Sequence, residues 1–266
     1  MEAKRVVVKV GTSTLTHESG ALYLEHIEKL VRVLCDLIGA GHEVIFVSSG
    51  AIAVGVSSAG LPERPESLRE KQAAAAVGQC RLMHIYDKIA AEYGVLAAQI
   101  LLTRGDFDDP ERKNNLLNTI DTLLTWNVLP VLNENDSVCP KEIEAEKTRV
   151  FGDNDALSAM VARLAAADLL VLMTDSDGFF TGDPRSDPDA RLLTRVSELT
   201  PQLLGATGGA GTRRGTGGMV TKLAAARIAL DAGIDMVIVN GRDPSVLYRL
   251  LRGETVGTLF SRRFAQ

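Results

Sequence analysis

An α/β protein, with an open, mostly parallel sheet sandwiched between helices, is the fold class that the amino-acid sequence predicts. Three observations predict it. Apolar, β-branched runs of strand length alternate with longer stretches of helical periodicity. Glycines punctuate the junctions where a strand run hands over to a helix. Polar and charged side chains collect where the apolar runs end, which is where an open α/β sheet receives its ligands.

Val6-Val7-Val8-Lys9-Val10 is a β-branched run closed by Gly11-Thr12-Ser13. It reads as a buried parallel strand except for Lys9, because a lysine in a two-sided core strand is costly unless an anion pairs with it. Lys9 therefore stands either at the C-terminal end of the strand, facing a ligand, or on an exposed edge. Leu24, Ile27, Leu30, Val31, Leu34, Leu37 and Ile38 recur at helical spacing until Gly39-Ala40-Gly41 stops them. Val44-Ile45-Phe46-Val47 then completes a βαβ unit. Ser48-Ser49-Gly50-Ala51-Ile52-Ala53-Val54-Gly55 is a second junction from strand through glycine to helix.

Pro62 and Pro65 break the next loop, and residues 66–92 predict a long helix in which Ala73 to Val77 and Gly78 suit close helix packing. Val95 to Leu102 predicts a strand, Pro110 to Leu124 a helix, and Val128 to Leu132 a strand ending on Asn133-Glu134-Asn135-Asp136. A core strand that discharges four polar side chains at its C-terminal end has the character of a site. Lys141 to Arg149 is charge-rich and aperiodic and predicts a lid or surface hairpin. Asp153 or Asn154 is placed to cap the helix Ala156 to Ala166, but capping accounts for only one of Asp153, Asn154 and Asp155.

Leu169 to Met173 predicts a core strand ending in Thr174-Asp175. The Gly/Asp/Pro-rich stretch to Asp189 predicts a surface excursion without calcium-loop spacing, and Ser197 to Gly205 a short helix. Gly215-Thr216-Gly217-Gly218-Met219-Val220-Thr221-Lys222 precedes an Ala-rich helix, Leu223 to Ala232, that Gly233 stops. Free N–H groups at a helix N-terminus, the dipole's positive end and the mobile charge of Lys222 make this stretch a phosphate cradle; the alternative is a glycine-rich surface loop. Met236 to Val239 and Val256 to Phe260 complete the sheet.

With 266 residues, 45% hydrophobic and 24% charged, the chain suits one sizeable core, a single domain over 1–266. A net charge of −5 argues against a nucleic-acid partner. No apolar run has the length of a membrane span or a signal peptide. Cys35, Cys80 and Cys139 lie far apart and form neither a disulfide framework nor a zinc motif, so no protein-held metal is expected and a reducing, cytoplasmic setting fits. There is no Walker A loop, no dinucleotide fingerprint and no nucleophile–base constellation.

Taken in order, Val8-Lys9-Val10-Gly11-Thr12-Ser13, Ser48-Ser49-Gly50-Ala51-Ile52, Asn133 to Asp136, Gly152 to Asp155, Thr174-Asp175 and Gly215 to Lys222 resemble the amino-acid-kinase family over nearly the whole chain. The resemblance is strongest to members that phosphorylate the γ-carboxylate of L-glutamate. It implies an ATP- and Mg²⁺-dependent first step of L-proline biosynthesis, with L-proline as feedback inhibitor and a dimeric or tetrameric homo-oligomer. Many bacterial members add a C-terminal PUA domain; the sequence here shows none. Residues 1–170 are expected to form an acceptor lobe and 171–266 a nucleotide lobe. On this resemblance Lys9 and Lys222 neutralise the transferring phosphoryl group and Asp155 holds the pair. Ser49, Gly50, Asp136, Asp153 and Asn154 face the acceptor. Lys9, Gly11, Thr174, Asp175, Thr216, Gly217, Gly218, Met219, Val220, Thr221 and Lys222 hold the nucleotide. N-acetylglutamate, aspartate, carbamate or UMP as acceptor, and a non-catalytic amino-acid sensor, are the alternatives; a sensor would be expected to lack one of the two lysines or Asp155.

Overall fold

The computed structural model describes residues 4–17, 19–139, 154–182, 184, 187–201, 203 and 217–264. In chain order these form β1 (Arg5–Val10), α1 (Thr12–Leu15), α2 (Leu24–Gly39), β2 (Glu43–Val47), α3 (Ala51–Ser58), α4 (Leu68–Glu92), β3 (Ala97–Leu102), α5 (Gly105–Asp108), α6 (Pro110–Thr125) and β4 (Leu129–Glu134). There follow α7 (Asn154–Leu164), β5 (Leu169–Thr174), β6 (Phe179–Phe180), β7 (Leu192–Leu193), β8 (Arg195–Val196), α8 (Gly217–Asp231), β9 (Asp235–Asn240), α9 (Val246–Leu251) and β10 (Thr258–Phe260).

Eight strands form one sheet in the order β3-β4-β2-β1-β5-β9-β10-β8. Neighbouring strands from β3 to β9 run parallel, whereas β10 lies antiparallel to β9 and β8 follows β10. The seam of the molecule is β1 against β5, with Val6 opposite Leu169 and Val10 opposite Met173. Period two along β1 divides the core. Val6, Val8 and Val10 face a layer made by α2, α3, α4 and α9, while Val7 faces the layer of α6, α7 and α8. Lys9 shares the parity of Val7 and so projects toward α7 and α8. The edge placement of Lys9 is thereby excluded, since β1 is flanked on both sides and Lys9 is 6% exposed.

α3 and α4 are joined by two glycines. A Cβ on Gly55 would stand 1.8 Å from the Ala74 carbonyl oxygen, and one on Gly78 would stand 1.8 Å from that of Ala51. Only glycine permits this approach, and it seats the start of α3 at the end of β2.

Several boundaries differ from the pattern-based expectation. α8 begins at Gly217, six residues before Leu223, so Gly217 and Gly218 are helical and Lys222 sits in the second turn. Glycine's low helix propensity hides such a start in a sequence. α7 begins at Asn154, two residues before Ala156. Ser197 and Glu198 bend out of β8, with Pro201 and Leu203 helical beyond them. The predicted surface excursion contains a small hairpin, β6 against β7. Residues 141–149, expected as a lid, lie outside the described residues.

Candidate active site

Three of the expected site residues, Lys9, Thr221 and Lys222, gather around one carboxylate beyond the C-terminal end of β1. Asp155, in the first turn of α7, is fully buried. Its Oδ1 lies 2.6 Å from Lys9 Nζ and its Oδ2 lies 3.2 Å from Lys222 Nζ. Thr221 Oγ1 is 3.0 Å from the same Oδ2. Burial by itself would raise the Asp155 carboxyl, but the charges of Lys9 and Lys222, with hydrogen bonds from Lys9 and Thr221, outweigh it and hold the group below the ordinary carboxylate value. An anion and two cations, contributed by three separate elements, thus share a site largely withdrawn from water.

Two glycines flank the ammonium groups, at distances where an added Cβ would make only ordinary contact. A Cβ on Gly11 would meet Lys9 Nζ at 3.8 Å, and one on Gly218 would meet Lys222 Nζ at 3.6 Å. Lys222 also donates to the Gly218 carbonyl at 3.0 Å, which holds it along α8 and toward Asp155.

Next to Asp155, Asn154 ties three segments together. Its Nδ2 donates to the Ser48 carbonyl at 2.7 Å, to Ser49 Oγ at 2.9 Å and to Asn133 Oδ1 at 2.8 Å. A side chain serving as a helix cap would bond its own first turn instead. Ser48 Oγ and the Tyr86 hydroxyl form a buried hydrogen bond at 2.8 Å, and burial pushes the Tyr86 phenol well above its usual value despite that bond. Gly50 opens α3 with φ of 90°, and a Cβ there would touch Thr12 at 3.4 Å, which brings the β1 and β2 loops together.

Other expected residues fall on the same edge of the sheet. Asp136 is half-buried in the turn after β4. Thr174 is buried at the end of β5, where its Oγ1 accepts from the Ser176 N–H, and Asp175 beyond it is exposed. Met219 packs against the α6–α7–α8 core and Val220 is exposed. Gly217 is the first residue of α8. Asp153 and Thr216 lie outside the described residues. Sequence reasoning missed Gln79 and Tyr86, which reach the site from the middle of α4; a lone amide in an Ala-rich helix carries no motif.

A parallel-sheet sandwich that gathers two lysines on one buried carboxylate where its strands end has the architecture of a small-molecule kinase. Residues 4–240 match the amino acid kinase family, and the chain belongs to that family. Among its relatives, the glutamate 5-kinase of Clostridium perfringens (strain 13 / Type A) is 52% identical over 259 residues, covering 97% of this chain and 96% of the relative. The glutamate 5-kinase of Caldanaerobacter subterraneus subsp. tengcongensis is 52% identical over 256 residues, covering 96% of this chain and 67% of the relative. The solved UMP kinase from Bacillus anthracis superposes with a TM-score of 0.62 at 16% identity, covering 99% of this chain and 98% of that one. A solved isopentenyl phosphate kinase gives 0.62 at 19%, covering 97% and 100%. At such identities the two structures establish the shared fold alone.

Proposed function

We infer that the chain transfers the γ-phosphoryl group of ATP to the γ-carboxylate of L-glutamate, giving L-glutamyl 5-phosphate and ADP, the first step of L-proline biosynthesis. Relatives named glutamate 5-kinase that match over nearly the whole chain support the substrates. The single structural observation that carries the chemistry is the pair Lys9 and Lys222 on opposite oxygens of buried Asp155.

A γ-carboxylate with a pKa near 4.3 is ionised at neutral pH, so the nucleophile needs no general base. That accounts for a site without histidine. An oxygen of the carboxylate attacks the γ-phosphorus in line, the bond to the β–γ bridging oxygen breaks, and ADP leaves. The protein's task is to bring two anions together and to neutralise charge spreading over the transferring group. Lys9 and Lys222 supply that charge from two sides, and Asp155 keeps them paired. Ser49, Gly50, Asp136, Asp153 and Asn154 receive the glutamate, where the carbonyl and carboxylate oxygens suit an α-ammonium. Gly11, Thr174, Asp175 and the Thr216 to Lys222 stretch receive the nucleotide.

Mg²⁺ fits as a companion of the nucleotide. Among the described residues no group of three or more His, Cys, Asp or Glu side chains is arranged to hold an ion, and this ion is commonly bound by substrate phosphates, waters and one or two carboxylates. Asp175 would be the carboxylate that holds it, and the ion would neutralise phosphate charge.

Release of ADP, followed with glutamate, N-acetylglutamate, aspartate, carbamate and UMP at equal concentration, tests the assignment. Glutamate is expected to be fastest; a faster rate with any other acceptor overturns it. A site that must bury a free ammonium loses binding when that group is acylated, because each polar partner left stranded costs about 1–3 kcal/mol.

A further inference from the structure

We propose that Gln79, on α4 and outside every motif of the site, is a positioning residue: as terminal acceptor it holds a three-amide relay in the donor–acceptor sense that reserves the Asn154 carbonyl oxygen for the substrate's α-ammonium. The proposal rests on glutamate being the acceptor.

Asn133 Nδ2 donates to Gln79 Oε1 at 2.8 Å, and Asn154 Nδ2 donates to Asn133 Oδ1 at 2.8 Å. Main-chain groups anchor this sense at two points. The Glu134 N–H, which can only donate, gives its proton to Asn133 Oδ1 at 2.9 Å. The Ser48 carbonyl, which can only accept, takes its proton from Asn154 Nδ2 at 2.7 Å. Asn133 therefore turns its NH₂ toward Gln79, which must answer with an oxygen. With the Ser48 carbonyl, Ser49 Oγ and Asn133 Oδ1 around it, the Asn154 NH₂ has no donor left, and its Oδ1 is what remains for a ligand. An amide oxygen receives an ammonium; an amide turned the other way would repel one.

Gln79 is 7% exposed, and among the described residues its Nε2 has no hydrogen-bond partner. A side chain present only to fill space would do better without a stranded donor. The half of the amide that is bonded is the acceptor half, and that is the half the relay uses.

The test compares Gln79→Met, which removes the acceptor, with Gln79→Glu, which keeps an acceptor oxygen and removes the stranded donor. Steady-state constants for both substrates and thermal unfolding are measured for each. Gln79→Met is expected to raise the glutamate KM by about ten- to hundredfold, the worth of one hydrogen bond to a charged group, with kcat and the ATP KM changed less than about threefold. Gln79→Glu is expected to keep the glutamate KM within about threefold of the unsubstituted value. A folded Gln79→Met with an unchanged glutamate KM overturns the relay, as does a folded Gln79→Glu that loses glutamate affinity tenfold or more. Should Gln79→Met fail to fold, Gln79→Glu decides alone. If the unsubstituted protein releases no ADP with glutamate, the acceptor assignment fails and takes this proposal with it.

Discussion

Asp155 decides the charge balance at the level of single residues. Two ammonium groups meet its fully buried carboxylate, and removing the carboxylate would leave two like charges facing one another. Asp155→Asn should destabilise the fold by about 3–5 kcal/mol, the cost of breaking a buried ion pair from one side. Because the native carboxyl is held below its ordinary value, the unfolded chain binds protons more readily, and folding gains stability above about pH 3.9 that is lost as pH falls through the native value. Thermal unfolding between pH 2 and 7 should therefore show a shallower acid slope for Asp155→Asn than for the unsubstituted chain. Under the proposed function each lysine acts on charge that develops during transfer. Lys9→Ala and Lys222→Ala are expected to lower kcat by about 10²–10³-fold with a smaller change in ATP binding, as read by single-turnover transfer on variants whose folding is verified by circular dichroism. Arginine should not restore either position, since a planar fork replaces a compact charge. Lys9 was legible in the sequence as a charge stranded in an apolar strand. Its partner Asp155 was named only through the family resemblance, because a 2.6 Å ion pair across 146 positions has no local signature.

Among the elements, α3 and α4 bear most directly on the proposed acceptor site. Gly55 and Gly78 let the two backbones close on each other, and α3 carries Gly50 at its start. Gly78→Ala forces a methyl group into the Ala51 carbonyl and should cost about 1–3 kcal/mol or more. For a chain of this size that is a fall in Tm of about 2–12 °C. Displacement of the Ser49–Gly50 turn should raise the glutamate KM along with it. Differential scanning calorimetry and glutamate titration read the two effects; an unchanged Tm would mean that the helices part without cost. The alternation of helices and strands was visible because glycine and proline mark their ends. The start of α8 was not, since glycine's low helix propensity makes Gly217 and Gly218 look like loop. Strand order was not visible either, because hydrophobic pattern records which face is buried and not which neighbour covers an edge.

Under the proposed function the whole molecule receives its two substrates on either side of the β1–β5 seam. Asn133, Asp136 and the Ser49–Gly50 turn come from the β4-β2-β1 side, and Thr174, Asp175 and α8 from the other. Asp136→Ala and Asn154→Ala should accordingly raise the glutamate constant, with about 1.5–3 kcal/mol lost per hydrogen bond to a charged group, and leave the ATP constant near its starting value. Separate saturation curves check this, and a selective rise in the ATP constant would contradict the division. The same seam shapes how the chain reaches its native state. β1 leaves the ribosome well before its partner β5, which begins at Leu169. At about 5–20 residues per second, an apolar strand with one unsatisfied side waits on the order of ten seconds or more for its mate. Its sister helices can cover its faces but not that edge. Pairing across so long a loop makes folding slow and concentration-sensitive, and the nascent N-terminal half is the species most in need of a chaperone.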